Sequence, residues 1–173
     1  MKYANQPYQR INECRIGGGS ELTSLINLGK IAQCGYFPLS KNEPESYMPL
    51  ELVWSPESKL VQLAHTFNPK EMFSDNYGYR SGLNSSMVAH LDEKIEILES
   101  HISLDKGDIV LDIGSNDATL LKAYKNDKIH RVGIDPTGNK FKEYYPNGYT
   151  LISDFFSSRN FKEKIGNKKA KII

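Results

Sequence analysis

Ile109-Val-Leu-Asp112-Ile-Gly114-Ser-Asn116-Asp117-Ala-Thr119-Leu-Leu121, followed by Val132-Gly-Ile-Asp135-Pro, decides the fold of this chain. An apolar run ends in an acid and a glycine turn, and a helical pattern opens straight after. A second apolar run then ends in another acid, about 20 positions further on, as in the β-turn-α-β unit of doubly wound sheets. Gly114 lets the backbone turn tightly beside a ligand. The carboxylate of Asp135 has the lone pairs to accept both hydrogen bonds of a ribose diol.

The alternation continues outward from that unit. Strands are expected at 109–113, 131–135 and 149–153, with helices at 117–125, 139–145 and 158–165. Lys171-Ile-Ile173 reads as the opening of a fourth, buried strand in residues 170–173. Elements of this length in this order predict an α/β fold with a parallel sheet. Upstream, Met87, Leu91, Ile95, Leu98 and Ile102 recur at helical spacing between charged residues, which predicts an amphipathic helix within 86–104.

Residues 1–85 follow a different grammar. Gly17-Gly-Gly-Ser20 is a loop, Thr23 to Gly29 is short and apolar, and prolines at 38, 44, 49, 56 and 69 break the rest. Leu50-Glu-Leu-Val-Trp54 and Leu60-Val-Gln-Leu63 read as a hairpin turned at Ser55-Pro-Glu-Ser58. The expected organisation is a small N-terminal domain over 1–85, a linking helix over 86–106 and a sheet domain over 107–173. The first domain has too little regular apolar surface to stand without packing or a metal.

With 39% apolar and 25% charged residues, the composition is that of a soluble globular protein. A net charge of +1 offers no electrostatic case for nucleic acid or an anionic membrane. No run approaches the ~20 apolar residues of a membrane span. The opening Met1-Lys-Tyr-Ala-Asn-Gln lacks a secretory core, so a cytoplasmic address is expected. Cys14 and Cys34 do not make a disulfide framework in that compartment.

Ligands of open parallel sheets bind at the carboxyl ends of the strands. Asp112, Asp135 and Asp154 stand at three successive strand ends, which suits one elongated ligand. The Gly114-Ser-Asn-Asp turn is closer to the first motif of S-adenosylmethionine methyltransferases than to G-x-G-x-x-G. For such a ligand Asp112 is expected at the amino acid end, Asp135 at the ribose and Asp154 at the adenine amino group, with Phe155 over the adenine face. The alternative for each acid is a helix cap. Asn116 is a candidate ligand residue too, although it and Asp117 are more simply caps of the following helix. The turn lacks the second and third glycines of G-x-G-x-x-G, having Asn116 and Ala118 or Thr119, which weakens a nicotinamide-dependent oxidoreductase.

Several strings together resemble one family: Leu60-Val-Gln-Leu, Tyr77-Gly-Tyr79-Arg-Ser81-Gly, His90-Leu, Asp112-Ile-Gly-Ser-Asn-Asp, Gly133-Ile-Asp-Pro and Asp154-Phe-Phe. The chain is similar over essentially its whole length to the sugar C-methyltransferases, which use S-adenosylmethionine (SAM) on nucleotide-linked deoxysugars. The resemblance implies an incomplete Rossmann-like class I SAM-binding sheet, preceded by a small irregular β-containing domain. It implies Tyr77, Tyr79 and Ser81 near a nucleotide-sugar substrate; the alternative for the tyrosines is aromatic packing in a loop.

Two departures from the family stand out. Its zinc-binding domain uses two C-x-x-C pairs, because thiolates hold zinc tetrahedrally. Here Cys14-Arg-Ile-Gly17 keeps one cysteine, and the second pair reads Ser55-Pro-Glu-Ser58. Serine hydroxyls are poor substitutes for thiolates, Cys34 is not at a matching position and His65 reads as a packing or surface residue, so zinc is not expected. The chain is also expected to be truncated inside the fourth strand. The family's catalytic base lies later, and none of His90, His101 or His130 is a supported replacement. The reading is a methyltransferase present as its N-terminal part. Its alternative is an inactive remnant or assembly module needing a complementing C-terminal polypeptide.

Overall fold

The computed structural model describes residues 7–17, 19–34, 38, 40–43, 45–73 and 77–173. Gly18 and Pro44, read above as loop and turn positions, lie outside them. The chain divides into two compact units, Met1–Gly78 and Tyr79–Ile173.

The first unit contains β1 (Tyr8–Arg10), β2 (Thr23–Ala32), β3 (Tyr47–Trp54), β4 (Val61–Leu63), β5 (His65–Phe67) and a short helix α1 (Pro69–Met72). β3 and β4 form the expected hairpin, with Leu52 opposite Leu63 and Trp54 opposite Val61. Its turn closes through Lys59 N to Ser55 O at 2.9 Å and Ser55 N to Leu60 O at 3.0 Å. β2 adds to the free side of β3 with two register shifts, and β1 pairs with β5. Period-two alternation in the second half of β3 buries Glu51 and Val53 and leaves Leu52 and Trp54 half open, while Met48 is buried out of that phase. Buried Glu51 is paired with Arg10, whose guanidinium holds the carboxyl below the usual carboxylate range. Arg15 straps its loop to the sheet: its guanidinium donates to Gln62 Oε1, Leu63 O, His65 O and Thr66 Oγ1. Polar contacts therefore supplement the limited apolar packing that the sequence offers here.

The second unit opens with helix α2 (Ser85–His101), capped by the Asn84 side chain on Ser86 N. Then follow β6 (Ile109–Ile113), α3 (Thr119–Ala123), β7 (His130–Ile134), α4 (Gly138–Phe141), β8 (Thr150–Ile152) and α5 (Ser158–Ile165). The sheet is parallel, in the order β6-β7-β8. Both of its faces are covered. Val110 packs with Ile95, Leu121, Tyr124 and Ile129, whereas Ile109, Leu111, Val132 and Ile134 pack with Phe161. A strand buried on both faces must be apolar throughout, which explains the unbroken Ile109-Val-Leu run. Arg131 points to the first of these faces but is not left bare: it donates to Leu121 O, Tyr124 O and Asn126 O at the end of α3.

The elements differ from expectation mainly at their ends. The helix expected at 117–125 is only Thr119–Ala123, because Asn116 (φ 46°) and Ala118 (φ 62°) lie in the left-handed region and Tyr124 is already extended. That expected at 139–145 is four residues of α4 followed by a 3-10 turn at Lys142–Tyr144. α2 stops at His101 because Ile102 is extended, short of the expected 104. In place of a fourth strand over 170–173 there is one parallel bridge, Ile172 to Val110, supported by Leu111 N to Ile172 O at 2.9 Å and Lys171 N to Ile109 O at 2.8 Å. Because β7 occupies one edge of β6, this segment lies along the other.

Candidate functional site

The parallel register brings the carboxyl ends of β6 and β7 level, with Ile113 opposite Ile134. Asp112 is half-buried one residue before that end. Burial, reinforced by the charge of Asp135, pushes its carboxyl up to about 6, with Lys94 acting in the opposite sense. A carboxylate held this way is ionised at neutral pH but poorly compensated, and a cation beside it would relieve the imbalance.

The turn after β6 is built around Gly114, at φ 81°, whose amide donates to Ile134 O at 2.8 Å. A side chain would be strained in that conformation. Asp135 then fastens the loop. Its Oδ2 accepts from Asn116 N at 2.8 Å, and its Oδ1 accepts from Thr137 N and Thr137 Oγ1. With three hydrogen bonds received and only 6% of its surface exposed, Asp135 keeps roughly one of its four lone-pair sites for anything else. Tyr145 adds a further tie, its hydroxyl bonding Ser115 Oγ at 2.7 Å and donating to Asn116 O at 3.2 Å. Burial raises the Tyr145 phenol well above its ordinary value, so it stays protonated and available as a donor.

Asn116 and Asp117 have duties that the sequence did not reveal. Asp117 does serve the start of α3, accepting from Thr119 N and Thr119 Oγ1 through Oδ1. Asn116 does not. Its amide brackets another segment, accepting from Ser81 N at 3.0 Å and donating to Tyr79 O at 3.1 Å. Beside it, Asp117 Oδ2 accepts from Gly82 N at 3.0 Å and lies 3.6 Å from Arg80 Nε. The Arg80 guanidinium stacks 4.2 Å from the centre of the Tyr144 ring. Gly82 is required by closeness: a Cβ there would come within 2.6 Å of Asp117 Oδ2. The glycine loop and the segment Tyr79–Gly82 are thus one hydrogen-bonded body.

Other expected residues are more loosely placed. Asp154 is exposed beyond β8 and accepts from Phe155 N through Oδ1, while Phe155 is half-buried. Tyr79 is 44% exposed. Tyr77 belongs to the first unit, where its ring meets Phe73 edge-on with centroids 5.4 Å apart. His90 and His101 are exposed on α2, and His130 is bonded to Thr150 Oγ1 at 2.8 Å. His65 is buried against Tyr8, in a packing role. No role was read from the sequence for Arg80, Gly82, Thr137 or Tyr145: the partners of Arg80, Gly82 and Tyr145 are distant in the chain, whereas Thr137, two positions after Asp135, was a local signal left unread.

Within the first unit, Cys14 is buried with its sulfur 3.1 Å from Ser58 Oγ, and Gln62 Nε2 donates to that sulfur at 3.2 Å. Ser55 is fully buried and hydrogen-bonds the same thiol.

Comparison with known proteins matches both parts of this picture. Residues 14–73 fit a family model described as "Putative zinc binding domain". Over 131 residues the chain is 26% identical to the C-methyltransferase NovU of Streptomyces niveus, a match that takes in 75% of this chain. The chain resembles the N-terminal portion of a C-methyltransferase. It spans 31% of the length of that curated relative. The resemblance to C-methyltransferases read from the sequence strings is the one the comparison returns. As for zinc, the match reaches both turns of the first unit, yet the donors there are one thiol and two hydroxyls. Among the described residues no group of three or more His, Cys, Asp or Glu is placed to hold a metal. The residues do not fit a zinc site. Among the described residues, too, no helix is long and apolar enough to cross a membrane.

Proposed function

We propose that this chain is the SAM-binding part of a C-methyltransferase acting on a nucleotide-linked deoxysugar. The observation that carries the reading is Asp112: a half-buried, under-compensated carboxylate beside the glycine turn at the carboxyl end of β6. SAM is a cation with an amino group and a sulfonium, and it supplies an electrophilic methyl group when bound. Asp112 faces its amino acid end. Asp135 takes a ribose hydroxyl with its remaining lone pair, after securing the loop. Asp154 reaches the adenine amino group and Phe155 covers the ring. Gly114 leaves room for the ligand, and Asn116 acts by holding its loop.

The sheet is read as a Rossmann-like class I half, supported by the order β8-β7-β6 with the Ile172 segment along the outer edge of β6. Tyr79 and Ser81 sit on the segment latched to the glycine loop, and with Tyr77 they are assigned to the nucleotide-sugar. Transfer to carbon needs a base within hydrogen-bond reach of the proton removed. The positions of the chain's histidines do not support that role, so the base is assigned to polypeptide outside these 173 residues. The 31% share of the relative leaves ample length for it.

Calorimetric titration of SAM into the chain tests the reading. Asp135→Ala is a poor control, because it would free Asn116 N and Thr137 and unseat the loop. Asp112→Asn is preferable: it is expected to weaken binding about tenfold or more, in line with loss of a charge-assisted contact. Absence of SAM binding by the folded chain would defeat the proposal.

A further inference from the structure

The first unit matches a zinc-binding family, yet its geometry is that of a site rebuilt without metal. Two turns face each other. One runs from Cys14 to Gly17, closed by Gly17 N to Cys14 O at 3.3 Å. The other runs from Ser55 to Ser58, closed by Lys59 N to Ser55 O at 2.9 Å. Each spans an x-x spacing, the spacing with which paired ligands grip zinc. Between them, where thiolates would converge, lie one thiol, two hydroxyls and the Gln62 amide.

We infer that hydrogen bonds among Cys14, Ser55, Ser58 and Gln62 replace the metal in this chain, so that the first unit folds without zinc. The donor set is of the wrong kind for a metal: of the four positions at the two turns only Cys14 carries a thiol, and Gln62 Nε2 donates to that sulfur at 3.2 Å. The serine hydroxyls keep their protons at neutral pH and both bond the Cys14 sulfur, Ser58 Oγ also accepting from Leu60 N at 3.3 Å. The position of Gly17 offers no side chain at all. The opposite face of Gln62 is spoken for as well, its Oε1 accepting from Arg15 N and Arg15 Nη1 at 3.2 Å each. Gln62 therefore links the sulfur to the Arg15 strap, and through it to Leu63, His65 and Thr66. This inference stands apart from the proposed methyl transfer, since it concerns how the first unit is held together.

Two measurements on the full chain test it. Elemental analysis of protein purified without chelator is expected to find far less than one zinc per chain, and EDTA is expected to leave the unfolding midpoint of Trp54 fluorescence unchanged. One zinc per chain, or a midpoint lowered by EDTA, would overturn the inference. In a second measurement, cobalt(II) is titrated into the wild type and into the double variant Ser55→Cys, Ser58→Cys. The variant is expected to develop the thiolate-to-cobalt absorption band that the wild type lacks. A band in the wild type, or a folded variant without one, would refute it. Should the double variant fail to fold, the chelator experiment on the wild type still decides.

Discussion

Asp112 is kept at a cost to stability. Its carboxyl holds a proton up to about 6 in the fold, against 3.8 ordinarily, because burial and Asp135 disfavour its charge. Between those two values the folded chain binds more protons than the unfolded one, so stability falls as pH rises from about 4 to about 6 and is level above. Asp112→Asn removes that cost. It is expected to stabilise the second unit by about 2–3 kcal/mol at pH 7 and to change little below pH 4. Urea unfolding followed by far-ultraviolet circular dichroism at the two pH values measures this. A SAM cation seated beside the carboxylate would recover the same energy. Wild-type affinity is then expected to fall about tenfold per pH unit below 6, measurable by calorimetry across that range. That Asp112 and Asp135 lie at or beside strand ends was legible from the sequence, because each follows an apolar stretch and precedes a turn residue or proline, although β6 runs one residue past Asp112 to Ile113. The internal duty of Asp135 was not: its bonds to Thr137 are local, but Asn116 N reaches it from another loop, earlier in the chain and beyond any local pattern.

Among the elements, α3 shows where local reading fails. Its apolar spacing is helical from the start, yet two left-handed positions, Asn116 and Ala118 on either side of Asp117, delay the first turn to Thr119. Ala118 sits there with φ 62° while fully buried, a conformation that costs an L-residue roughly 1–2 kcal/mol. Ala118→Gly should therefore stabilise the second unit by up to about 1 kcal/mol, after loss of the buried methyl and of backbone restriction in the unfolded chain. Gly82→Ala should do the reverse: with its Cβ driven against Asp117 Oδ2, the segment must part from the loop, at a cost of about 1–3 kcal/mol. Denaturant midpoints of the two variants, side by side, check both signs. The strands β3, β4 and β6 were the most legible elements, since alternation or continuous apolarity fixes them without reference to distant partners. The latch from Asn116 to Tyr79–Gly82 joins residues 35 and 37 positions apart, beyond the reach of any local pattern.

On the scale of the whole molecule, two units of unlike construction share one chain. The second rests on a sheet with an apolar layer on each face, whereas the first leans on Arg10, Arg15 and the Cys14 cluster. The chain's single tryptophan, Trp54, lies in the first unit, so its fluorescence reads that unit's unfolding, while circular dichroism reads both. Arg15→Ala releases four acceptors and is expected to lower the fluorescence midpoint, by the equivalent of about 2–3 kcal/mol.

The latch of the second unit has a use beyond mechanics. The amide hydrogens of Ser81 and Gly82 end on the side chains of Asn116 and Asp117, whose backbone shapes the glycine loop. They are built-in reporters of that loop. Deuterium exchange at those two amides would register a ligand settling against Gly114 without any label or assay of turnover, as slower exchange if the ligand tightens the loop and faster exchange if it pries the loop open.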